Sequence, residues 1–500
     1  MANRFNLPSS PVIRCQDRFD LLGSDEDGVS FWDLLTVILT SDSDPIRDIT
    51  SLIEALETIS ISLRGTSRNE NHDALREFMT SFLQKEGHHD WFFAKTWPFL
   101  VNLALEMPKL FPDGTLPCFS PVQNDAGVTK VSFTRRQIAC LVVHQFLCSL
   151  PSQPWQTESF VDLRPWFSQS NTSHPGAVHA YLTALFTYFE NLPRHIVCCA
   201  SRIELSADEW PITFTIRSIE SLEVDQLLES KGSKAHLSAT SIEICHLVEP
   251  HTGPALLGVP QGACVISANK CFGYGPTGTQ EELHVGISPE SYPAVLLAPP
   301  LSDNQVLICR GAEPMVSIRG YGRDAKLDQI LPFSECDPRD SYRWKYRTML
   351  FMDALEMDIL GAESDLSIPD VDPPTRLSRE MVLKAYNAFR SDDEPYSHIV
   401  TGLWGCRTFG GNKYVKCLLQ WCAARLAQVP VLKFVLAGSE QMKFAAEFNQ
   451  ITSRMKQQDV TVSQVFEALA GMKDCGYEVS PDRVFEYMAD QLGIEWQERA

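Results

Sequence analysis

Five hundred residues with 44% hydrophobic content suffice for two or three cores rather than a single large one. A formal charge of −20 at pH 7 excludes general nucleic-acid binding, which needs a basic face to release counterions. No apolar stretch approaches the ~20 residues of a membrane-spanning helix; the longest, such as 34–39 and 138–143, are far shorter.

In chain order, residues 1–18 are polar and contain prolines, and they read as a loosely held lead-in. The first eleven residues lack an apolar core of the secretory kind, so no signal peptide is expected. Apolar residues at three-to-four spacing then predict helices over 31–39, 45–63, 72–84 and 96–110. The strongest helix spans 133–150, with Ile138, Leu141, Val142, Phe146 and Leu150 in one stripe and Pro151 as its stop. A similar helix over 177–192 is expected to end at Pro193. His88-His89-Asp90 reads as a polar turn rather than a metal site, and no zinc or EF-hand spacing occurs.

After Pro193 the period changes. Strands are expected at 196–199, 212–216, 241–245, 264–266, 294–297 and 305–309, then helices over 346–357, 378–389, 412–428, 439–456 and 462–470. The division is therefore a lead-in over 1–18, an all-α domain over 19–193 and a layered α/β domain over 194–500. The acidic, proline-containing stretch 361–374 reads as a surface loop of the second domain. Fifteen cysteines with no C-x-x-C, many in apolar runs such as Cys140, Cys148, Cys264 and Cys309, suit reduced buried thiols of an intracellular protein.

The chemistry concentrates where the buried run Ala263-Cys264-Val265-Ile266 empties into Asn269, then Gly273-Tyr274-Gly275, then Gln280-Glu281-Glu282. Glycines let the backbone approach a ligand and turn N–H groups toward an anion, while adjacent carboxylates can transfer protons. The literal G-x-G-x-x-G of Gly273, Gly275 and Gly278 lacks both a helix opening at the glycines and an acidic residue about twenty positions on, so a nicotinamide fold is not expected. In an extended segment Glu281 and Glu282 would point opposite ways, which argues for unlike roles. A second cluster, Leu403-Trp404-Gly405-Cys406-Arg407-Thr408-Phe409-Gly410-Gly411, precedes a helix whose N-terminus favours a phosphate. Taken singly, either cluster reads as an ordinary turn.

The first segment resembles the signature of the poly(ADP-ribose) glycohydrolases, in which Ala-Asn leads into a glycine loop and Gln-Glu-Glu. Ser341-Tyr342-Arg343-Trp344, Met352-Asp353-Ala354-Leu355 and Thr401 to Gly411 follow in that family's order, and Gln137-Ile138-Ala139 and Leu185 to Phe189 resemble its accessory helical region. Departures are Tyr274 among the glycines, a short spacer before Gln280, Ile266 for an aspartate, Leu403 for an asparagine, and Ile318 near the place of an adenine-stacking tyrosine. The resemblance implies a macrodomain-like mixed sheet flanked by helices and preceded by an all-α accessory domain. It further implies cleavage of ribose–ribose bonds without a cofactor or metal, with Glu282 as acid/base and Glu281 positioning substrate hydroxyls. Asn269, Gln280, Gly273, Tyr274, Gly275, Leu403, Trp404, Gly405, Cys406, Arg407, Thr408 and Phe409 would bind substrate. Poly(ADP-ribose) and ADP-ribosylated proteins would be its partners, with a monomer acting in the nucleus or cytoplasm in the response to DNA damage. Since the polymer is itself anionic, local cations are expected to help, from among Arg310, Arg319, Arg323, Arg407 and Lys413. The departures leave open an ADP-ribose-binding module without catalysis, or hydrolysis of single ADP-ribose units from protein.

Overall fold

The computed structural model describes residues 4–23, 28–41, 45–65, 71–84, 91–119, 129–152, 161–168, 173–201, 210–219, 221–332, 344–354, 376–406, 409–472 and 481–496. Two compact units interleave along the chain: one takes residues 1–214, 271–300 and 311–345, the other 215–270, 301–310 and 346–500. This differs from the expected division at residue 193, because the glycine segment after residue 270 packs with the helices before it.

In the first unit the helices Phe31–Thr40, Ile49–Arg64, Asp73–Leu83, Trp97–Leu105 and Arg135–Phe146 form where apolar spacing predicts them. Side chains close their open ends: Thr134 and Gln137 form a reciprocal cap, as do Asp48 and Ser51. Phe186 is the hub of the apolar packing, 5.2 Å from Phe78, 5.4 Å from Phe92 and 5.8 Å from Phe146 between ring centres. Its helix, Pro175–Ser201, runs straight through Pro193, which corrects both the expected stop there and the strand expected at 196–199. Proline's φ is helical, and its missing N–H and the clash of its ring with the carbonyl four residues back can kink a helix without ending it. The strand expected at 294–297 is also a helix, Ala294–Leu297, and Val316–Arg319 and Lys326–Ile330 pair antiparallel with a bulge.

His144 is fully buried in this unit, its ring nitrogens 2.7 Å from Ser149 Oγ and 3.1 Å from the Ala104 carbonyl oxygen. Burial lowers its pKa from 6.5 to about 4. The unfolded chain therefore takes the proton first, and the stability that neutral His144 contributes is complete above pH 6.5 and lost as pH falls toward 4. We expect a loss of about 3 kcal/mol across that window. Urea midpoints followed down the window should fall more steeply for wild type than for His144→Gln, and parallel curves would refute the linkage.

The main sheet contains β1 (Lys130–Phe133), β2 (Ile212–Ser218), β3 (Ser241–Leu247), β4 (Ala263–Ala268), β5 (Gln305–Arg310), β6 (Thr348–Asp353), β7 (Ile399–Thr401) and β8 (Val431–Ala437). Their order is β1-β2-β5-β6-β4-β7-β8-β3. In the second unit β6, β4, β7, β8 and β3 run parallel, and β5 is antiparallel to β6. β6 replaces the helix expected over 346–357; its run Met-Leu-Phe-Met is buried on both faces, as central strands are, and such a run carries no period to tell strand from helix.

The helices Arg376–Phe389, Lys413–Leu426, Met442–Gln457 and Val462–Gly471 follow expectation. Phe434 of β8 packs 5.0 Å from Phe448, which stacks near Phe485. Cys264, Cys309, Cys140 and Cys148 are buried, as their apolar neighbours imply. Among the described residues no helix is long and apolar enough to cross a membrane.

Candidate active site

The glycine loop of the first unit is held by side chains of its helices. Trp166 Nε1 donates to the Gly275 carbonyl at 2.9 Å, Tyr181 Oη to the Thr277 carbonyl at 2.5 Å, and Gln145 Nε2 to Tyr274 Oη at 2.9 Å. Tyr274 is fully buried, ringed by Trp166 at 5.5 Å and Tyr292 at 5.3 Å. The residue that interrupts the glycines is thus an anchor, its side chain buried among the helices of this unit.

The loop ends in a helix, Gln280–Gly286, with both glutamates in its first turn. This corrects the extended reading and the absence of a helix after the glycines. Neighbours on a helix diverge by about 100°, and the two carboxylates take separate surroundings. Glu281 is buried, and its Oε1 accepts the Gly273 N–H at 3.2 Å. Glu282, half-buried, completes a reciprocal cap: Thr279 Oγ1 accepts its N–H, while its own Oε2 accepts the Thr279 N–H at 3.1 Å and the Thr279 hydroxyl at 2.7 Å, and also the Thr277 hydroxyl. Among the described residues every hydrogen bond to this carboxylate falls on Oε2, leaving Oε1 against Gly275. Burial, then the charge of Glu282, push the Tyr181 hydroxyl well above its ordinary pKa.

Gly275 has a steric reason to be glycine, because a Cβ there would collide with Glu282 Oε1. Gly275→Ala is therefore expected to displace that carboxylate with a small change in melting temperature. Gly273, by contrast, faces open space.

In the second unit Asn269, exposed, and the turn beginning at Gly402 follow the carboxyl ends of the paired strands β4 and β7, the end at which open α/β sheets bind ligands. Trp404 is buried and donates Nε1 to the Met352 carbonyl at 3.1 Å; Gly411 N–H reaches the Gly405 carbonyl at 3.0 Å. Gly405 has φ +68 and abuts Ala354 and Lys416 Nζ so closely that no side chain fits. Leu403 and Phe409, half-buried, pack against the apolar core. Burial pushes the Cys406 thiol up to about 11, with Lys416 and Lys413 pulling it back. Arg407 and Thr408 lie outside the described residues, as do Ser341, Tyr342, Arg343, Leu355 and the His88–Asp90 turn.

Of the expected cations, Arg310 lies over the Tyr346 ring and 3.5 Å from Asp393, and Lys413 reaches Gln441 at 3.3 Å. Sequence reasoning missed Thr277 and Thr279, which bind Glu282, although threonine three residues before a glutamate is a cap signature. It also missed Lys416, and the buried pair of Asp353, the last residue of β6, with Lys384. Burial pushes that carboxyl up and that ammonium down, each opposing the other's pull.

Two family models match in order along the chain: "Poly (ADP-ribose) glycohydrolase (PARG), helical domain" over residues 84–203 and "Poly (ADP-ribose) glycohydrolase (PARG), Macro domain fold" over residues 243–444. Poly(ADP-ribose) glycohydrolase 1 of Caenorhabditis elegans is 28% identical over 224 residues, which is 43% of this chain but only 28% of the worm protein. Probable poly(ADP-ribose) glycohydrolase 2 of Arabidopsis thaliana is 22% identical over 427 residues, 76% of this chain and 77% of the plant protein. Poly(ADP-ribose) glycohydrolase 2 of Caenorhabditis elegans is 28% identical over 208 residues, 40% of this chain and 41% of that protein. A helical part and a macrodomain sheet, each matched where the fold has it, agree with the glycine loop that runs into Gln280-Glu281-Glu282: this chain is a divergent member of the poly(ADP-ribose) glycohydrolase family.

Proposed function

We propose that this protein hydrolyses the ribose–ribose O-glycosidic bonds of poly(ADP-ribose) and releases ADP-ribose, with Glu282 as the acid/base. The observation that carries this is the carboxylate of Glu282, tied through Oε2 to Thr277 and Thr279 while Oε1 abuts the glycine loop. A pure binding module has no need to orient a carboxylate beside a phosphate-binding turn. Protonated Glu282 gives its proton to the leaving ribose oxygen as the glycosidic bond breaks toward an oxocarbenium-like centre. The carboxylate then takes a proton from the water that adds there, which restores the acid.

Glu281, fixed to the Gly273 N–H, positions substrate hydroxyls, and Gln280 and Asn269 supply neutral hydrogen bonds. Backbone N–H groups of the glycine loop before Gln280 take the diphosphate, and the open face of Gly273 leaves room for its approach. On this reading the protein acts as a monomer on ADP-ribosylated proteins in the nucleus or cytoplasm, in the response to DNA damage.

A binding module without catalysis is the second reading, favoured by Leu403 and Phe409 packing into the apolar core rather than standing clear for a ligand. A poly(ADP-ribosyl)ated protein incubated with the enzyme separates the readings. Release of ADP-ribose with time supports the glycohydrolase, and intact polymer with measurable ADP-ribose binding supports the module. Removal of only the protein-linked unit makes it a mono-ADP-ribosyl hydrolase.

A further inference from the structure

Tyr181 is fully buried on the helix Pro175–Ser201 and touches both ends of the segment that carries the two glutamates. A Cβ on Gly286 would strike its ring, so glycine is what lets the end of the helix Gln280–Gly286 seat there. At the other end its hydroxyl donates to the Thr277 carbonyl at 2.5 Å, in the turn that leads into that helix. Trp166 holds the ring from a third side, 5.2 Å away between centres. Since burial and the charge of Glu282 both oppose its ionisation, the hydroxyl remains a donor at neutral pH.

Thr277 is thereby gripped twice: its carbonyl is fixed by Tyr181, and its hydroxyl donates to Glu282 Oε2. Its neighbours are pinned as well. Trp166 Nε1 holds the Gly275 carbonyl at 2.9 Å, and the Gly322 N–H holds that of Gly278 at 2.9 Å. The helix cap does not need Thr277, because Thr279 by itself exchanges the reciprocal bonds with Glu282. What the extra donor supplies is direction. Thr279 is exposed, whereas the Thr277 hydroxyl projects from a backbone that cannot shift without breaking the bond to Tyr181. With Oε2 held this way the carboxylate resists rotation about its last bond, and Oε1 stays against Gly275.

We propose that Tyr181 and Thr277 are positioning residues for proton transfer by Glu282, Tyr181 acting through Thr277 and Thr277 acting on the carboxylate rather than on the substrate. The inference rests on the glycohydrolase reading above and names the side chains that aim its acid/base.

The test measures single-turnover release of ADP-ribose from a poly(ADP-ribosyl)ated protein, together with titration by ADP-ribose. It compares wild type with Tyr181→Phe, Thr277→Val, Thr277→Ser and the double variant Tyr181→Phe/Thr277→Val. Tyr181→Phe keeps the ring against Gly286 and removes only the donor, so release should slow about tenfold. Thr277→Val loses a hydrogen bond to a charged group and should slow release about tenfold to a hundredfold, while Thr277→Ser, which keeps the hydroxyl, stays close to wild type. Affinity for ADP-ribose should remain within a few-fold of wild type throughout. The double variant should be no slower than Thr277→Val, because both changes break one chain of contacts. Losses that multiply in the double variant, losses equal in Thr277→Ser and Thr277→Val, or losses in affinity rather than rate would overturn the proposal. Should Tyr181→Phe fail to fold, the contrast between the serine and valine variants decides. Wild type that leaves the polymer intact removes the glycohydrolase reading and this inference with it; wild type that cleaves, beside variants that cleave equally fast, removes this inference alone.

Discussion

Glu282→Gln is expected to lower the rate of ADP-ribose release by about 10²–10⁴-fold, the range of general acid/base catalysis, while the protein stays folded and binds ADP-ribose within a few-fold of wild type. The local geometry permits so clean a separation. Glutamine is a natural third residue of a reciprocal cap, and its carbonyl can occupy the Oε2 position and accept from the Thr279 N–H and the Thr277 and Thr279 hydroxyls as the carboxylate does. The amide nitrogen then falls at Oε1, where it donates a hydrogen bond but cannot cycle a proton. Glu281→Gln keeps an acceptor for the Gly273 N–H and should cost less. The checks are single-turnover release from a poly(ADP-ribosyl)ated protein and titration with ADP-ribose. Near-normal turnover in Glu282→Gln would remove the residue from its role, and joint loss of binding and turnover would make it a binding residue.

Much of the scaffold was legible because it is amphipathic. Helices from 31–39 to 462–470 and the strands at 212–216, 241–245, 264–266 and 305–309 carry periods or apolar runs that the fold uses. Elements misread were those in which burial erases the period: β6 is buried throughout, and the helix Ala294–Leu297 is four apolar residues. The short central strand β7 and the half-buried β8 were not foreseen at all, and Pro193 was overweighted as a stop. The glycine loop and both glutamates could be found because their residue types are unusual together. Their separate surroundings rest instead on a helix start, whose signal is Thr279 three residues before Glu282.

What local pattern could not show is which core the glycine loop and its glutamates join. Residues 271–300 and 311–345 belong to the helical unit, and the reason lies in single side chains far upstream in sequence: Gln145 on Tyr274, Trp166 on Gly275, Tyr181 on Thr277. The helices thus serve as the mould of the loop. Gly286 shows how close the fit is, since a Cβ there would strike the Tyr181 ring.

Arg135→Met is expected to destabilise the protein by about 3–5 kcal/mol at pH 7, the usual consequence of removing one member of a buried ionic group. Arg135 is buried, with Nε 2.7 Å from Glu290 Oε1 and a terminal nitrogen 3.3 Å from Glu313 Oε2. Its guanidinium lies 4.7 Å from the Trp210 ring centre, and the Glu313 N–H returns to Glu290 Oε2 at 3.0 Å. Methionine fills the space but leaves two buried carboxylates facing each other.

The pH dependence gives the mechanism away. Burial already holds Glu290 above the ordinary carboxylate range despite the pull of Arg135. Without the arginine it moves higher, so the folded variant takes a proton at a pH where the unfolded chain does not, and acidification from pH 7 stabilises it relative to its own neutral value. The deficit against wild type should therefore shrink as pH falls toward the carboxylate range, and Arg135→Met/Glu290→Gln/Glu313→Gln should recover most of it at neutral pH. Denaturation curves across that range decide the matter: a deficit under about 1 kcal/mol, as for an exposed pair, or one that does not change with pH, would show that the charges are not what Arg135 holds in place.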